Sequence, residues 1–505
     1  MGLNLPTRRL SGGRSHGFGQ QSFVQMQQLR RNALTAVDST LISVSSAAPA
    51  NGFATNTVAL VAAVGLSGPG ALIFCAVPMF GIALAYFYLN AWRSDAGAAY
   101  SWVGRALNPT LGFFAGWALI VACLLFLVVG SLPLASATLD LVAPTLVSNV
   151  LAVTGVGLAW LAVVVAIVLL GIKATAELQK ALTIFQIGSL ATFIGFALVK
   201  GVSSSVNHLS TSWFAPYSSG LHSYWAGALV AIFYLWGWDV SSNLTEETVN
   251  RRRTPGLSGI LGMLIILALF IMSQIGAQMT MSTGAISAAN SNVLVAFVDT
   301  VMPKPWNALA LFVILFSTIA VLEITLVQSG RTMFSMGRDR VLDERLAKLH
   351  PRFLTPWNAT FAIAIVAVVL FAIAATSPSV NLILKDTINA TGILVAVYYG
   401  LSGIACAAYY RVANRQDRLM FWLRGAWPVI AALFVFIVAC AQLATAGLRA
   451  DLSVLGLLFV GLVPMWYYRR HYASSFYTQP RENATLEEPV EAPVSVMLQS
   501  AQSPP

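Results

Sequence analysis

Charge is what this sequence has least of. Only 10% of its 505 residues are Asp, Glu, Lys or Arg, while 57% are hydrophobic; an ordinary soluble domain carries about 25% charged residues. That is too little polar surface to cover a water-soluble core of this size, so a large soluble protein is excluded. Cysteine is scarce as well. Cys75, Cys123, Cys406 and Cys440 each lie inside an apolar run, none near another, and read as packing residues rather than disulfides or metal ligands. The five histidines are scattered and form no His–Glu or His–Cys cluster. No phosphate-binding glycine loop and no nucleophile–base pair appears. Metal chemistry, enzyme catalysis and ATP hydrolysis within the chain are therefore not expected, nor is any cofactor.

What fills the chain instead is apolar sequence, with a mean hydropathy of +0.75. Runs of about 20 apolar residues recur from end to end, each long enough to cross a bilayer. We read about twelve spans: Leu34–Val64, Ala71–Trp92, Leu111–Leu134, Val150–Gly171, Ala176–Val199, His222–Asn243, Leu257–Met279, Trp306–Met333, Ala359–Thr376, Ile388–Tyr410, Trp427–Leu443 and Leu452–Tyr468. The fold class is an all-α polytopic membrane protein. The leading segment, residues 1–33, is polar and basic without a short apolar core, and reads as a cytosolic arm rather than a signal peptide. The trailing segment, residues 471–505, is polar and Pro-rich and reads as a disordered cytosolic tail.

The net charge of +10 invites a nucleic-acid reading, but its distribution argues for a topology signal. With the N-terminus in the cytosol, all of the 29 lysines and arginines fall on the cytosolic side except Lys200, Lys304, Lys385 and Arg449. This asymmetry is the positive-inside rule. It predicts cytosolic N- and C-termini in the cytoplasmic (inner) membrane, with the lipid bilayer and no nucleic acid as the surroundings.

Two spans carry sequence that an uninterrupted helix would not. The first contains Ser45-Ser46-Ala47-Ala48-Pro49-Ala50-Asn51-Gly52 near its middle; proline removes a backbone donor and disfavours helix just before it. The sixth contains Trp236-Gly237-Trp238-Asp239-Val240-Ser241-Ser242-Asn243. These are the first helices of two five-helix blocks, 34–199 and 222–410, joined by an extracytoplasmic loop at 200–221; residues 411–470 add a loop and two further helices. Five is odd, so the second block enters the membrane from the opposite side. Broken helices in equivalent places of two inverted repeats point to a transporter's binding site, since unwound backbone at membrane depth is tolerated where it is buried or lines a cavity. N–H groups near Asn51 and Gly52 would suit a carboxylate, and carbonyls near Ser46 and Trp236 an ammonium group. A packing kink is the alternative for either break alone.

Three stretches then resemble one family. The first is Asp95-Ala96-Gly97-Ala98-Ala99-Tyr100-Ser101-Trp102 with Gly104-Arg105-Ala106 and Gly112-Phe113-Phe114-Ala115-Gly116-Trp117. The second is Phe233-Tyr234-Leu235-Trp236-Gly237-Trp238-Asp239 followed by Glu246-Glu247 and Arg252-Arg253-Thr254-Pro255. The third is Arg331, then Ser335-Met336-Gly337-Arg338-Asp339, continuing to His350-Pro351-Arg352. In this order they resemble the amino acid–polyamine–organocation superfamily of permeases over roughly Leu34 to Tyr410. Asp343 stands where family members usually have proline, which implies a local change of loop. The resemblance implies the leucine-transporter-like fold, two inverted five-helix repeats plus two extra helices, and alternating-access transport of an amino acid or polyamine. An exchanger is the nearest alternative mechanism, and a non-transporting amino acid sensor the alternative class.

The candidate substrate residues are thus Ser45, Ser46, Ala47, Pro49, Ala50, Asn51 and Gly52 in the first break and Phe233, Trp236, Gly237, Trp238 and Asp239 in the second. Asp239 reads either as a partner for a substrate amine or, preferentially, as a cap for the half-helix that follows. Glu323, in the middle of the eighth span, is a functional candidate because an acid at that depth is costly; it would bind an amine or carry a proton, unless it only pairs with Arg331 or a polar neighbour. Glu246 and Glu247 precede Arg251–Arg253 and read as a cytosolic salt-bridge or gating cluster. Asp38 is expected to meet basic residues of an inner gate. Gln186 is a departure: proton-coupled family members can carry lysine at the aligned place, so coupling is left to Glu323, to sodium or to exchange. The sequence leaves the substrate side chain and the oligomeric state open.

Overall fold

A computed structural model describes residues 28–215, 220–289, 292–415, 417–446, 455–472 and 474–484. Within these the chain is helical, and the only extended pairing among the described residues is a single parallel bridge between Leu34 and Thr248. The principal helices are α1 (Ala36–Ser46), α2 (Pro49–Val64), α3 (Gly68–Trp92), α4 (Ala99–Ala106), α5 (Pro109–Val142), α6 (Val150–Leu169), α7 (Ile172–Ser203), α8 (Leu221–Tyr234), α9 (Val240–Asn243), α10 (Thr254–Thr280), α11 (Leu309–Arg338), α12 (Trp357–Ala374), α13 (Val380–Tyr409), α14 (Trp427–Ala446) and α15 (Leu462–His471).

Local chemistry fixes where they start. Thr35 and Asp38 form a reciprocal capping box at α1, which satisfies two orphan N–H groups at once. Asn108 and Asn149 cap α5 and α6 with their side chains. Prolines open α2 and α5 at the first position, where a missing N–H costs nothing.

Among the described residues nine helical stretches are long and apolar enough to cross a membrane, so this is a multi-pass membrane protein. The stretch Ala36–Trp92 covers the first two spans read from the sequence. The sixth span instead divides into the short helices α8 and α9, and the last reading falls partly on residues 447–454, outside the described part. Burial sorts centre from periphery. In the most apolar window of α5, 89% of residues are buried, against 33% for α6 and for α12. The last two present their sides to lipid, which is as apolar as they are.

Cys75, Cys123 and Cys406 are buried and unbridged as read, whereas Cys440 is exposed on the outer surface. The start of the tail differs from its reading, and residues 485–505 of that reading lie outside the described part. Residues 474–484 pack against the arginine-rich end of the bundle, with Phe476 1% exposed. One aromatic anchor outweighs the polar composition around it.

Candidate functional site

Both breaks are present, and they touch. The chain leaves α1 at Ala47, passes through Ala48 in the left-handed region (φ 45, ψ 60) and re-enters helix at Pro49. In the other, α8 ends at Tyr234, Gly237 takes φ +107, and α9 begins after Asp239. Ser46 Oγ donates to the Gly237 carbonyl at 2.5 Å. A Cβ on Gly237 would lie 2.4 Å from the Ser46 carbonyl oxygen, so both conformation and space demand glycine.

The donors expected at Asn51 and Gly52 are occupied. The Asn51 N–H donates to Ser317 Oγ at 3.2 Å and the Gly52 N–H to the Ala48 carbonyl at 2.7 Å. The break comes one turn earlier than read, which moves Gly52 into the regular ladder. Among the described residues, the Ala50 N–H and the carbonyls of Ser46 and Trp236 make no hydrogen bond.

A small cavity of about 50 Å³ opens beside the breaks. Of the candidate residues, Ser46, Ala47, Asn51, Gly52, Phe233 and Trp236 line it, with Ala48 of the same break and Tyr234 of the same aromatic run; Thr55, Asn56, Phe126, Val129, Gly130, Pro133 and Val321 were not among the candidates. Thr55 and Asn56 lie one turn beyond Gly52, and that spacing was a usable signal. No acid and no Lys, Arg or His is among the lining residues. Its aromatic wall is pinned: Trp236 Nε1 donates to Tyr398 Oη at 2.6 Å, Phe126 packs edge-on against the Trp236 ring at 5.3 Å, and the hydroxyls of Tyr234 and Thr57 share a hydrogen bond at 2.7 Å.

The other predicted residues lie behind this lining. Ser45 Oγ donates to Gln179 Oε1, Pro49 and Ala50 are buried in the first turn of α2, and Trp238 stacks on Tyr399 at 5.6 Å. Asp239 is fully buried and corrects its reading: its side chain makes no capping bond to α9. Tyr399 Oη donates to Oδ1 at 2.8 Å and Gln328 Nε2 to Oδ2 at 3.0 Å, which occupies both oxygens.

Glu323 is fully buried and does not meet Arg331. Gln179 Nε2 donates to its Oε2 at 2.8 Å, and Glu323 Oε1 has no hydrogen-bond partner. The α7 residue that reaches Glu323 is therefore Gln179, two turns before Gln186, whose own Oε1 is buried without a hydrogen bond. The signal was legible: Thr175, Gln179, Thr183 and Gln186, all buried, make one polar stripe at helical spacing. Asp38 Oδ1 lies 3.1 Å from Lys180 Nζ.

At the arginine-rich end, Glu246 and Glu247 pair with α11 rather than with the neighbouring Arg251–Arg253. Arg331 Nε and Nη2 donate to the two Glu247 oxygens at 3.1 and 3.2 Å, with both side chains 1% exposed. Arg338 contacts Glu246 at 2.8 Å and Asp95 at 3.2 Å. The local turn instead gives the Arg251 carbonyl to Asn90 and Thr245. Burial pushes the Glu247 carboxyl above its usual range, only partly offset by Arg331. Burial also pushes Asp95 up, but the charges of Arg338 and Arg93 and hydrogen bonds from Ser335 and Gly97 outweigh it and hold it below the usual range. Asn243 joins this cluster to the break: its Nδ2 donates to the Ala96 carbonyl at 2.9 Å, and its Oδ1 accepts from Gln328 at 3.2 Å.

The sequence family described as amino acid permease matches residues 34–464. A low-affinity putrescine importer of Escherichia coli is 25% identical over 418 residues, covering 78% of this chain and 84% of that protein. A branched-chain amino acid permease of Lactococcus lactis is 25% identical over 329 residues, covering 60% and 68%. The human b(0,+)-type amino acid transporter 1 is 32% identical over 149 residues, covering 28% and 30%. With touching helix breaks beside an uncharged cavity, and a family match across most of its length, the chain belongs to the amino acid permeases of the amino acid–polyamine–organocation superfamily.

Proposed function

We propose that this permease is a secondary active transporter that carries a neutral amino acid with a small or apolar side chain across the cytoplasmic membrane by alternating access. The observation that carries the reading is the cavity beside the two breaks, which has dipoles for a zwitterion and no charged side chain for a second charge. The positive end of the α2 dipole, whose Asn51 and Gly52 line the cavity, favours the carboxylate, and the carbonyls of the lining residues Ser46 and Trp236 offer acceptors to the ammonium group. Phe233, Trp236 and Phe126 form an apolar wall for the side chain. The arginine-rich end faces the cytosol, and the two breaks come one from each of two inverted five-helix repeats within about twelve crossings.

The same reading makes uptake proton-coupled through Glu323. An unpaired carboxylate oxygen in a buried site is costly, and a proton removes that cost in one half of the cycle. The putrescine importer supports a second substrate class, a diamine drawn by Asp239, but Trp238, Tyr399 and Gln328 separate or occupy that carboxylate.

Reconstituted protein is expected to take up apolar amino acids under an inward proton gradient, without need of sodium or a preloaded exchange partner. Glu323→Gln should retain substrate binding and lose the gradient dependence. Uptake of no amino acid under proton, sodium or exchange conditions would favour a sensor, and gradient-driven uptake unchanged in Glu323→Gln would remove the coupling role.

A further inference from the structure

The tail segment 474–484 is placed where the arginine-rich end of the bundle would have to open. Ser474 Oγ donates to the Asp339 carbonyl at 2.6 Å, just past the gate residue Arg338. The Glu482 N–H donates to the Arg105 carbonyl and the Ala484 N–H to the Tyr409 carbonyl, each at 3.0 Å. Glu482 also pairs with Arg93 at 3.5 Å. The segment therefore ties together the end of α3, the loop helix α4, the end of α11 and the end of α13.

Phe476 is its anchor. The ring stacks on Tyr100 at 4.6 Å and 17°, and Tyr100 Oη donates to Asp339 Oδ2 at 3.0 Å. A Cβ on Gly104 would come within 2.3 Å of the ring, so the slot exists because that position is glycine. Above the ring, 5.0 Å from its centroid, lies the Arg105 guanidinium, whose Nε and Nη1 are buried without a hydrogen bond. A ring face compensates such a charge only in part. Undocking exposes the phenyl ring but lets water reach the guanidinium, so the two costs oppose each other. That balance makes the contact reversible.

We propose that residues 474–484 are an intramolecular latch that holds the arginine-rich end closed. The latch crosses the same seam as the Asp95–Arg338–Glu246 cluster. Separating α4 from α11 breaks the Tyr100–Asp339 hydrogen bond and draws Phe476 from its slot. The proposal rests on the alternating-access reading, but its test requires no substrate.

Cys123 supplies the probe. It is buried on α5, and its Sγ lies 3.8 Å from Gln328 Oε1, between the gate cluster and the cavity. In a background with Cys75, Cys406 and Cys440 replaced by Ala, vesicles exposing the arginine-rich face are treated with a charged, membrane-impermeant methanethiosulfonate. Phe476→Ala is expected to speed Cys123 labelling by on the order of tenfold, the loss of one buried aromatic contact; Phe476→Leu, which keeps an apolar side chain in the slot, should fall between Phe476→Ala and the parent. Should Phe476→Ala fail to fold, a chain ending at Tyr472 should label fast, and a synthetic peptide of residues 474–484 should slow it again. Equal rates in the parent, Phe476→Ala and the shortened chain would overturn the latch and leave the transport reading to its own uptake test.

Discussion

Replacing Glu247 with Gln is expected to cost about 3–5 kcal/mol of stability, because it leaves the Arg331 charge buried and uncompensated. Both side chains are 1% exposed, so solvent does not screen the loss. Thermal unfolding in detergent is the measurement, with Arg338→Gln as a comparison, since Arg338 is 23% exposed and should cost less. The double replacement Glu247→Leu with Arg331→Met should recover most of the loss, since a buried ion pair is often no more stable than apolar residues of similar volume. If Glu247→Gln unfolds at the temperature of the parent, the pair contributes nothing to holding α11 against the segment that follows α9.

Gly237→Ala should abolish uptake. Its φ of +107 alone costs a non-glycine residue about 1–3 kcal/mol. The new Cβ would also meet the Ser46 carbonyl oxygen at 2.4 Å, and a backbone atom has no rotamer by which to yield. Relief requires the two breaks to move apart, and that enlarges and distorts the cavity they share. Uptake is expected below about a tenth of the parent rate, since a misplaced site of even 1 Å can cost a factor of about 100. Gly155→Ala is the control: a Cβ there has nothing within 4 Å and sits in mid-helix, where alanine gains up to about 1 kcal/mol over glycine. Parent-like uptake by Gly237→Ala would mean that contact between the breaks is not part of the site.

The helices and breaks were legible because their causes are local. Apolar runs, Pro49 after two alanines and Gly237 between two tryptophans act within a few residues of themselves. The partners of the charged and polar groups were not. Gln179 and Glu323 are 144 positions apart, and Arg331 and Glu247 are 84 apart; only packing of α7, and of the segment after α9, against α11 brings them together. At Glu246 and Glu247 the salt bridges come from Arg338 and Arg331 of α11, while the neighbouring Arg251 gives its carbonyl to Asn90 and Thr245. Asp239 misled for a related reason. A carboxylate before a helical turn is a usual cap, but Tyr399 and Gln328 from distant helices reached it first. In the tail, composition averaged away the one residue, Phe476, that anchors it.

The direct test of the uncharged cavity is the shift in unfolding temperature of the purified protein with leucine, alanine, lysine or putrescine at saturating concentration. A ligand held at 100 times its Kd adds about 2.7 kcal/mol, enough to separate binders from non-binders. Leucine or alanine should raise the unfolding temperature of the parent, and the shift should vanish in Trp236→Ala; lysine and putrescine should leave it unchanged. Stabilisation by putrescine or lysine without any by the neutral amino acids would contradict a zwitterion site beside the two breaks and move recognition to Asp239 or Glu323.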